Sequence, residues 1–208
     1  MAADAETAAQ IVALEARAVR RMRATAKRTI AVLSPSGDVD LVAASLAASM
    51  TVTVRDIKTS TRITAAQQFT NATGITAEPS GVDDLAAAIR AGAVYTNAWR
   101  AAYLGAGGTT TGGGSGGAWD DARLAAHSKI DRIAAWEVMH AWNDEHRRNA
   151  DALPQYKFIE RWCAILDPYL CKRCRSMNGK RTDAYGTFAE GWPPLHGDCR
   201  CFIVTTLA

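Results

Sequence analysis

The chain has 208 residues, 48% of them hydrophobic but only 7% aromatic, and its 24 Lys/Arg against 21 Asp/Glu give a net charge of +3. Alanine dominates the apolar fraction, which favours closely packed helices over a thick β core, and no run approaches the roughly 18 apolar residues of a membrane span. Residues 1–33 carry six Lys/Arg against three acids, residues 161–208 carry seven against four, and the middle carries eleven against fourteen, so both ends are basic and the centre is slightly acidic. That density suits a solvated helix as readily as a phosphate contact.

Asp4 to Leu33 predicts one long helix, because Ile11, Leu14, Ala18, Met22, Ala26, Thr29 and Leu33 recur at spacings of three and four. Arg17, Arg20, Arg21, Arg23, Lys27 and Arg28 lie opposite that stripe. Pro35 and Gly37 end the helix, and Asp38 or Asp40 caps the next one, through Leu41, Leu46 and Met50. TVTVRDI, residues 51–57, alternates as a short strand does, whereas ITAAQQFTNATGI reads as a helix closed by Gly74. After Pro79-Ser80-Gly81, Val82 to Leu104 predicts a helix with Asp83 and Asp84 at its N-terminus. Its apolar positions are Leu85, Ile89, Val94, Tyr95, Trp99, Tyr103 and Leu104.

Gly105 to Gly117 holds eight glycines in thirteen residues, a composition that cannot bury apolar surface. It reads either as a surface loop or as a tether. Trp119 to Asn149 predicts one further helix, with Leu124, Ile130, Ile133, Ala134, Val138 and Ala141 at helical spacing. Glu137 and His140 have the i, i+3 spacing of a di-iron site, but the chain has no second such pair, and HExxH is absent; a polar helix face explains them. Cys163 reads as a buried thiol.

The closing segment carries the chemistry. Four of the five cysteines stand as Cys171-x-x-Cys174 and Cys199-x-Cys201, with His196 three residues before Cys199. Two close pairs of soft ligands separated by a loop are what a tetrahedral zinc site requires. A disulfide framework needs an oxidising compartment, whereas the N-terminus has no apolar signal core and a cytosolic setting is expected. A redox CxxC wants a βαβ context that is missing here. The preferred ligand set is Cys171, Cys174, His196 and Cys199, with Cys201 as substitute for either of the last two. One closed, structural zinc would hold a module too small to bury a core alone. Asn178-Gly179 predicts a type I′ turn, so SMNGKRT is expected as a short hairpin, and CFIVTTL as a terminal strand. Lys172, Arg173, Arg175, Lys180, Arg181 and Arg200 surround the cysteines and offset thiolate charge, since three thiolates on one zinc leave a net −1. Trp192-Pro193-Pro194 predicts an extended approach to His196.

The order Trp162, Asp167, CxxC, Asn178-Gly179-Lys180, then Pro193-Pro194-Leu195-His196-x-x-Cys199-Arg200-Cys201 resembles the C-terminal signature of the phage head-morphogenesis family, the Mu F-like minor head proteins. Ile133-Ala134-Ala135-Trp136-Glu137 with Asn143 resembles that family's upstream helix, with Trp136 where Thr is usual. The resemblance spans about Asp120 to Cys201. It implies a non-enzymatic minor capsid protein of the virion, attached to the portal protein at the vertex inside the head after assembly in the host cytoplasm, and acting in head morphogenesis and DNA packaging or ejection. Major capsid or scaffold protein and packaged DNA are the further partners implied, with no membrane.

The expected fold is therefore mainly α-helical (α+β), with long helices ahead of a small zinc-knuckle module carrying a short hairpin and a terminal strand. Residues 1–104 form a helical docking region, 105–117 a linker or loop, and 118–208 the Mu F-like domain, with its zinc module at 161–208. Arg17, Arg20, Arg21, Lys172, Arg173, Arg175 and Arg200 are the candidate nucleic-acid or partner contacts. A zinc-ribbon DNA-binding protein and a thiol-based enzyme or toxin are the alternatives.

Overall fold

A computed structural model describes residues 2–109, 116–168, 170–182 and 187–208. Helices α1 (Ala2–Leu33), α2 (Val39–Thr73), α3 (Leu85–Gly105), α4 (Gly116–Ala125) and α5 (His127–Asp151) come first; strand β1 (Phe158–Ala164), the short helix α6 (Lys172–Met177) and strand β2 (Cys201–Leu207) follow. The protein is mainly helical, with one two-stranded antiparallel sheet near its C-terminus. Among the described residues no helix is long and apolar enough to cross a membrane.

Two compact units share the chain: one holds the residues up to Glu15, Lys58–Val82 and Ala135–Ala208, and the other holds Ala16–Ile57 and Asp83–Ala134. Of the expected 105–117 linker, Gly105 closes α3 and Gly116 opens α4, while 110–115 lie outside the described residues.

In the second unit, Ala18, Met22, Ala26 and Ile30 form the buried stripe of α1; Ile30 takes the place expected of Thr29 and Leu33, which are half-buried. Gly37 (φ 69°) ends the turn after α1, and Asp38 Oδ1 accepts from Leu41 N at 2.9 Å, as the capping pattern predicts. Residues 51–57, expected as a strand, lie inside α2 instead. Met50, Val54 and Ile57 are buried at helical spacing, and the hydroxyls of Thr51 and Thr53 donate to the carbonyls four residues back at 2.8 and 2.9 Å. Tertiary burial along one helical face thus outweighs the strand propensity of the Thr/Val run.

Helix α3 begins at Leu85, with Asp83 Oδ1 accepting from Leu85 N at 3.0 Å. Its apolar set divides: Tyr95, Trp99 and Tyr103, at i, i+4 and i+8, are buried, whereas Leu85, Ile89, Val94 and Leu104 are exposed. Trp99 and Tyr103 pack on Trp119 of α4 at centroid distances of 5.8 and 4.5 Å. Gly92 lets α3 approach α2 closely, since a Cβ there would stand 2.8 Å from the Ala47 carbonyl oxygen. The single helix expected over 119–149 is two, separated at Ala126, and Leu124 is exposed rather than packed. No Gly or Pro marks that break.

In the first unit α5 is the central element, although its face is polar. Glu137, Asn143, Glu145, His146 and Asn149 are all buried, so the polar face expected around Glu137 is turned inward. The reason is pairing: Lys58 Nζ meets Glu137 at 3.0 Å, and Arg62 meets Glu145 at 3.3 Å and Asp144 at 2.8 Å. Glu145 also accepts from Ser80 N at 2.7 Å, which anchors the segment after α2. Gly74 (φ 72°) closes α2 as predicted.

The sheet pairs Phe158↔Leu207 through Ala164↔Cys201. The expected hairpin within SMNGKRT is replaced by a helix end and a turn. Ser176 and Met177 belong to α6; Asn178 keeps a negative φ (−58°, ψ 124°), Gly179 has φ 86°, and Lys180 N bonds Met177 O at 3.0 Å, the pattern of a type II turn. Residues 179–182 then run beside β1: Gly179 N bonds Trp162 O and Trp162 N bonds Lys180 O, both at 2.7 Å, and Thr182 N bonds Glu160 O at 2.9 Å. Pairing with β1 satisfies these groups better than a self-contained hairpin of seven residues would.

Glu160 of β1 is 7% exposed, and its Oε1 has no hydrogen-bond partner. Burial and, to a lesser degree, the charge of Asp151 push its pKa up to about 7 against the pull of Arg147. The native state therefore holds an extra proton between the ordinary carboxylate range and about 7, and stability falls as pH rises through that window. Glu160→Gln is expected to raise the melting temperature at pH 8 and to change it little at pH 4.5, as thermal unfolding at the two pH values will show.

Candidate metal centre

Helix α6 sets the first pair of candidate ligands. Cys171 is its N-cap, in extended geometry (φ −70°, ψ 159°), and its Sγ accepts from Cys174 N at 3.3 Å. Two residues between N-cap and N3 bring both sulfurs to one side of the helix start. The second pair sits on a turn in which Cys199 N bonds His196 O at 2.9 Å. The chain reaches this turn through a bend with a cis Pro193-Pro194 peptide, not the extended approach expected from the prolines.

The knuckles meet. His196 Nε2 lies 3.2 Å from both Cys171 Sγ and Cys174 Sγ, and Cys174 Sγ lies 3.5 Å from Cys199 Sγ. Two triads of donor atoms result, Cys171–Cys174–His196 and Cys174–Cys199–Cys201, each with all separations within 4.8 Å and with Cys174 common to both. All five cysteines are free thiols. A tetrahedral zinc with bonds of about 2.3 Å to sulfur and 2.0 Å to nitrogen spaces its donors by about 3.5–3.8 Å. Cys171, Cys174 and His196 need only spread by a few tenths of an ångström to reach that spacing, whereas Cys199, which groups with Cys174 and Cys201, would have to move closer to Cys171 and His196 to complete a four-donor shell.

Cys171, Cys174, His196 and Cys199 line one pocket, completed by Ile165, Asp167, Leu170, Asp198 and Arg200. Cys201 starts β2, is fully buried, and is not among the residues lining that pocket. Hydrogen bonding between the two thiols, with Cys201 as donor, brings the Cys199 thiol down to about 5 against its burial and raises that of Cys201. Burial pushes Cys174 up to about 12, and the N–H of Cys174 lowers Cys171.

An apolar shell supports the pair of knuckles. Trp162, Ala164, Met177 and Phe188 are buried with Cys174, Cys199 and Cys201, and Leu170, Trp192 and Leu195 pack against them. Phe188 meets Trp162 and Trp192 edge to face at 5.4 and 5.2 Å, and the Arg147 guanidinium lies 4.6 Å from the Trp192 ring centroid. Cys163 is buried, as expected, and its thiol is pushed up to about 11 by that burial.

The basic residues fare differently from one another. Arg200 is engaged internally: its guanidinium pairs with Asp167 and with Glu15, the latter at 3.3 Å from Nε. Arg173 pairs with Glu190 at 2.8 Å, and Arg21 with Asp56 at 3.0 Å. Arg17, Arg20, Lys172 and Arg175 are exposed.

Residue spacing does not reveal what holds the second knuckle in place. Asn143 of α5 donates from Nδ2 to Cys201 O and accepts at Oδ1 from Ile203 N, both at 2.9 Å. Trp142 Nε1 donates to Ile203 O at 3.3 Å, and His146 Nδ1 lies 3.1 Å from Thr205 Oγ1. Burial lowers His146 to about 3, so its ring is neutral. On the other side, Asn178 Oδ1 accepts from Ala164 N at 2.9 Å. The signal available in the sequence was indirect: a terminal strand with one strand neighbour needs some partner for its outer backbone groups.

No protein-family model, curated protein or solved structure matches this chain. Asn143→Ala leaves one buried carbonyl and one buried N–H unpaired and is expected to cost about 2–4 kcal/mol. Urea unfolding will measure that loss, and amide exchange at Ile203 should accelerate in the same variant.

Proposed function

We propose that the chain is a structural protein of a phage particle, a minor head protein whose C-terminal module is held by one zinc through Cys171, Cys174, His196 and Cys199. The observation that carries the metal assignment is the meeting of the CxxC and His196–Cys199 knuckles in one pocket with no disulfide. Four protein donors fill a tetrahedral shell, which makes the site structural and closed. Cys201 stands behind Cys199 as a thiol donor, with Asn143 holding its carbonyl. The role in head assembly rests on the resemblance of Trp162, Asp167, CxxC and the His196–Cys201 segment to the Mu F-like signature. In this reading the helices present surfaces to the portal protein, no catalytic step is involved, and the protein resides in the virion.

The zinc-ribbon DNA-binding alternative draws on the basic residues around the knuckles. It loses weight because Arg200 and Arg173 are occupied by carboxylates.

Metal analysis of the purified protein is expected to find close to one zinc per chain, and Cys171→Ser with Cys174→Ser should unfold the module; metal-free protein that stays fully folded would sink the assignment. Co-expression with the portal protein of the same phage should yield a complex that survives purification in the absence of DNA, and failure to associate at any salt concentration would remove the assembly role.

A further inference from the structure

Between Glu15 and Asp38 the chain contains six cations and no anion. The structure divides those six. Arg21 pairs with Asp56, and Arg23 donates to both carboxylate oxygens of Asp131 at 2.8 and 3.0 Å. Arg17, Arg20, Lys27 and Arg28 are exposed and have no ion-pair partner among the described residues. These four positions are separated by three, seven and one residues, so they share one face of α1 over about 17 Å of helix axis.

We propose that this face of α1 docks the phosphate backbone of duplex nucleic acid without regard to base sequence. The charges sit on long flexible side chains in a straight row, which suits a polyanion presenting one negative charge per ~1.7 Å of duplex axis. The exposed residues beside them are Ala13, Ala16, Ala24 and Ala31, with Val32, one turn beyond Arg28, the largest of that set. Nothing of the size of Leu, Phe or Trp lies between the charges to insert into lipid, as a membrane-bound amphipathic helix requires. The same lack removes the aromatic or aliphatic anchor on which a protein partner's binding energy concentrates. What remains is charge, which binds backbone and not base edges. None of these four residues belongs to the Cys/His cluster, and the proposal stands or falls without the zinc assignment.

Binding of the full-length, zinc-supplemented protein to a fluorescent 30-base-pair duplex tests it, with affinity followed from 50 to 200 mM salt. Four phosphate contacts predict a slope of log K on log salt of about −3.6, or more than a hundredfold weakening across that range. Replacing Arg17, Arg20, Lys27 and Arg28 with Gln, which preserves helix propensity, should reduce the slope by about 3–4 units and leave the circular dichroism melt unchanged. Equal loss on duplexes of unrelated sequence is expected. Three results overturn the proposal: an unchanged slope in the fourfold variant, transfer of the effect to a Lys172→Gln/Arg175→Gln/Lys180→Gln variant, or retention on anionic vesicles with no binding to duplex at 50 mM salt.

Discussion

The outer edge of β2 is the constraint on which the C-terminal half depends. A strand paired on one side leaves a row of backbone donors and acceptors on the other, and burying that row without partners costs free energy at each group. Here the missing neighbour is a helix: Asn143 bonds both Cys201 O and Ile203 N, and Trp142 bonds Ile203 O. One amide side chain matches the donor–acceptor pattern that a third strand would have supplied. Because Cys201 follows Cys199 by two residues, the same contact places the second turn of the Cys/His cluster, so helix α5, the sheet and the candidate site are mechanically one arrangement.

The first knuckle is placed by equally local means from the opposite side. Cys171 caps α6, the type II turn at Asn178-Gly179 ends it, and residues 179–182 then pair with β1. Asn178 binds the Ala164 amide as well, so each knuckle has an asparagine tying it to the sheet. Between them the edge-to-face cluster of Trp162, Phe188 and Trp192 supplies the apolar enclosure that a segment of this size lacks. Arg200 completes the arrangement by joining Glu15 and Asp167, so a residue adjacent to a candidate ligand holds three segments of the first unit together.

Buried charge in the first unit follows the same logic of complete pairing. Lys58–Glu137 and Arg62–Glu145 are almost fully enclosed, and Ser80 and Asn149 add hydrogen bonds to Glu145. Such pairs add little net stability over an apolar core, yet removal of either partner strands a charge. Their effect here is to specify how α2 and α5 register. The second unit relies instead on small residues and aromatic packing, with Gly92 admitting a close helix approach and Trp99, Tyr103 and Trp119 filling the space beyond it.

Helical class, the α1 stripe, the caps at Asp38 and Gly74, the terminal strand and the presence of a Cys/His cluster in the closing segment were all readable from the order of residues. Each depends on spacing along a single element or on side-chain chemistry that does not change with context. The strand expected at 51–57, the hairpin at SMNGKRT and the single helix over 119–149 were not borne out, and the burial of the polar face around Glu137 was not legible, because each was decided by partners distant in sequence. Thr51 and Thr53 became helical once Met50, Val54 and Ile57 found a common buried face, and Glu137 went inside because Lys58 was there to meet it. The nearness of His196 to both Cys171 and Cys174 is likewise a tertiary fact. Sequence spacing determines which donors can sit together on one turn, whereas only the folded backbone, with Asn143 and Asn178 clamping the sheet, decides that the two turns face each other.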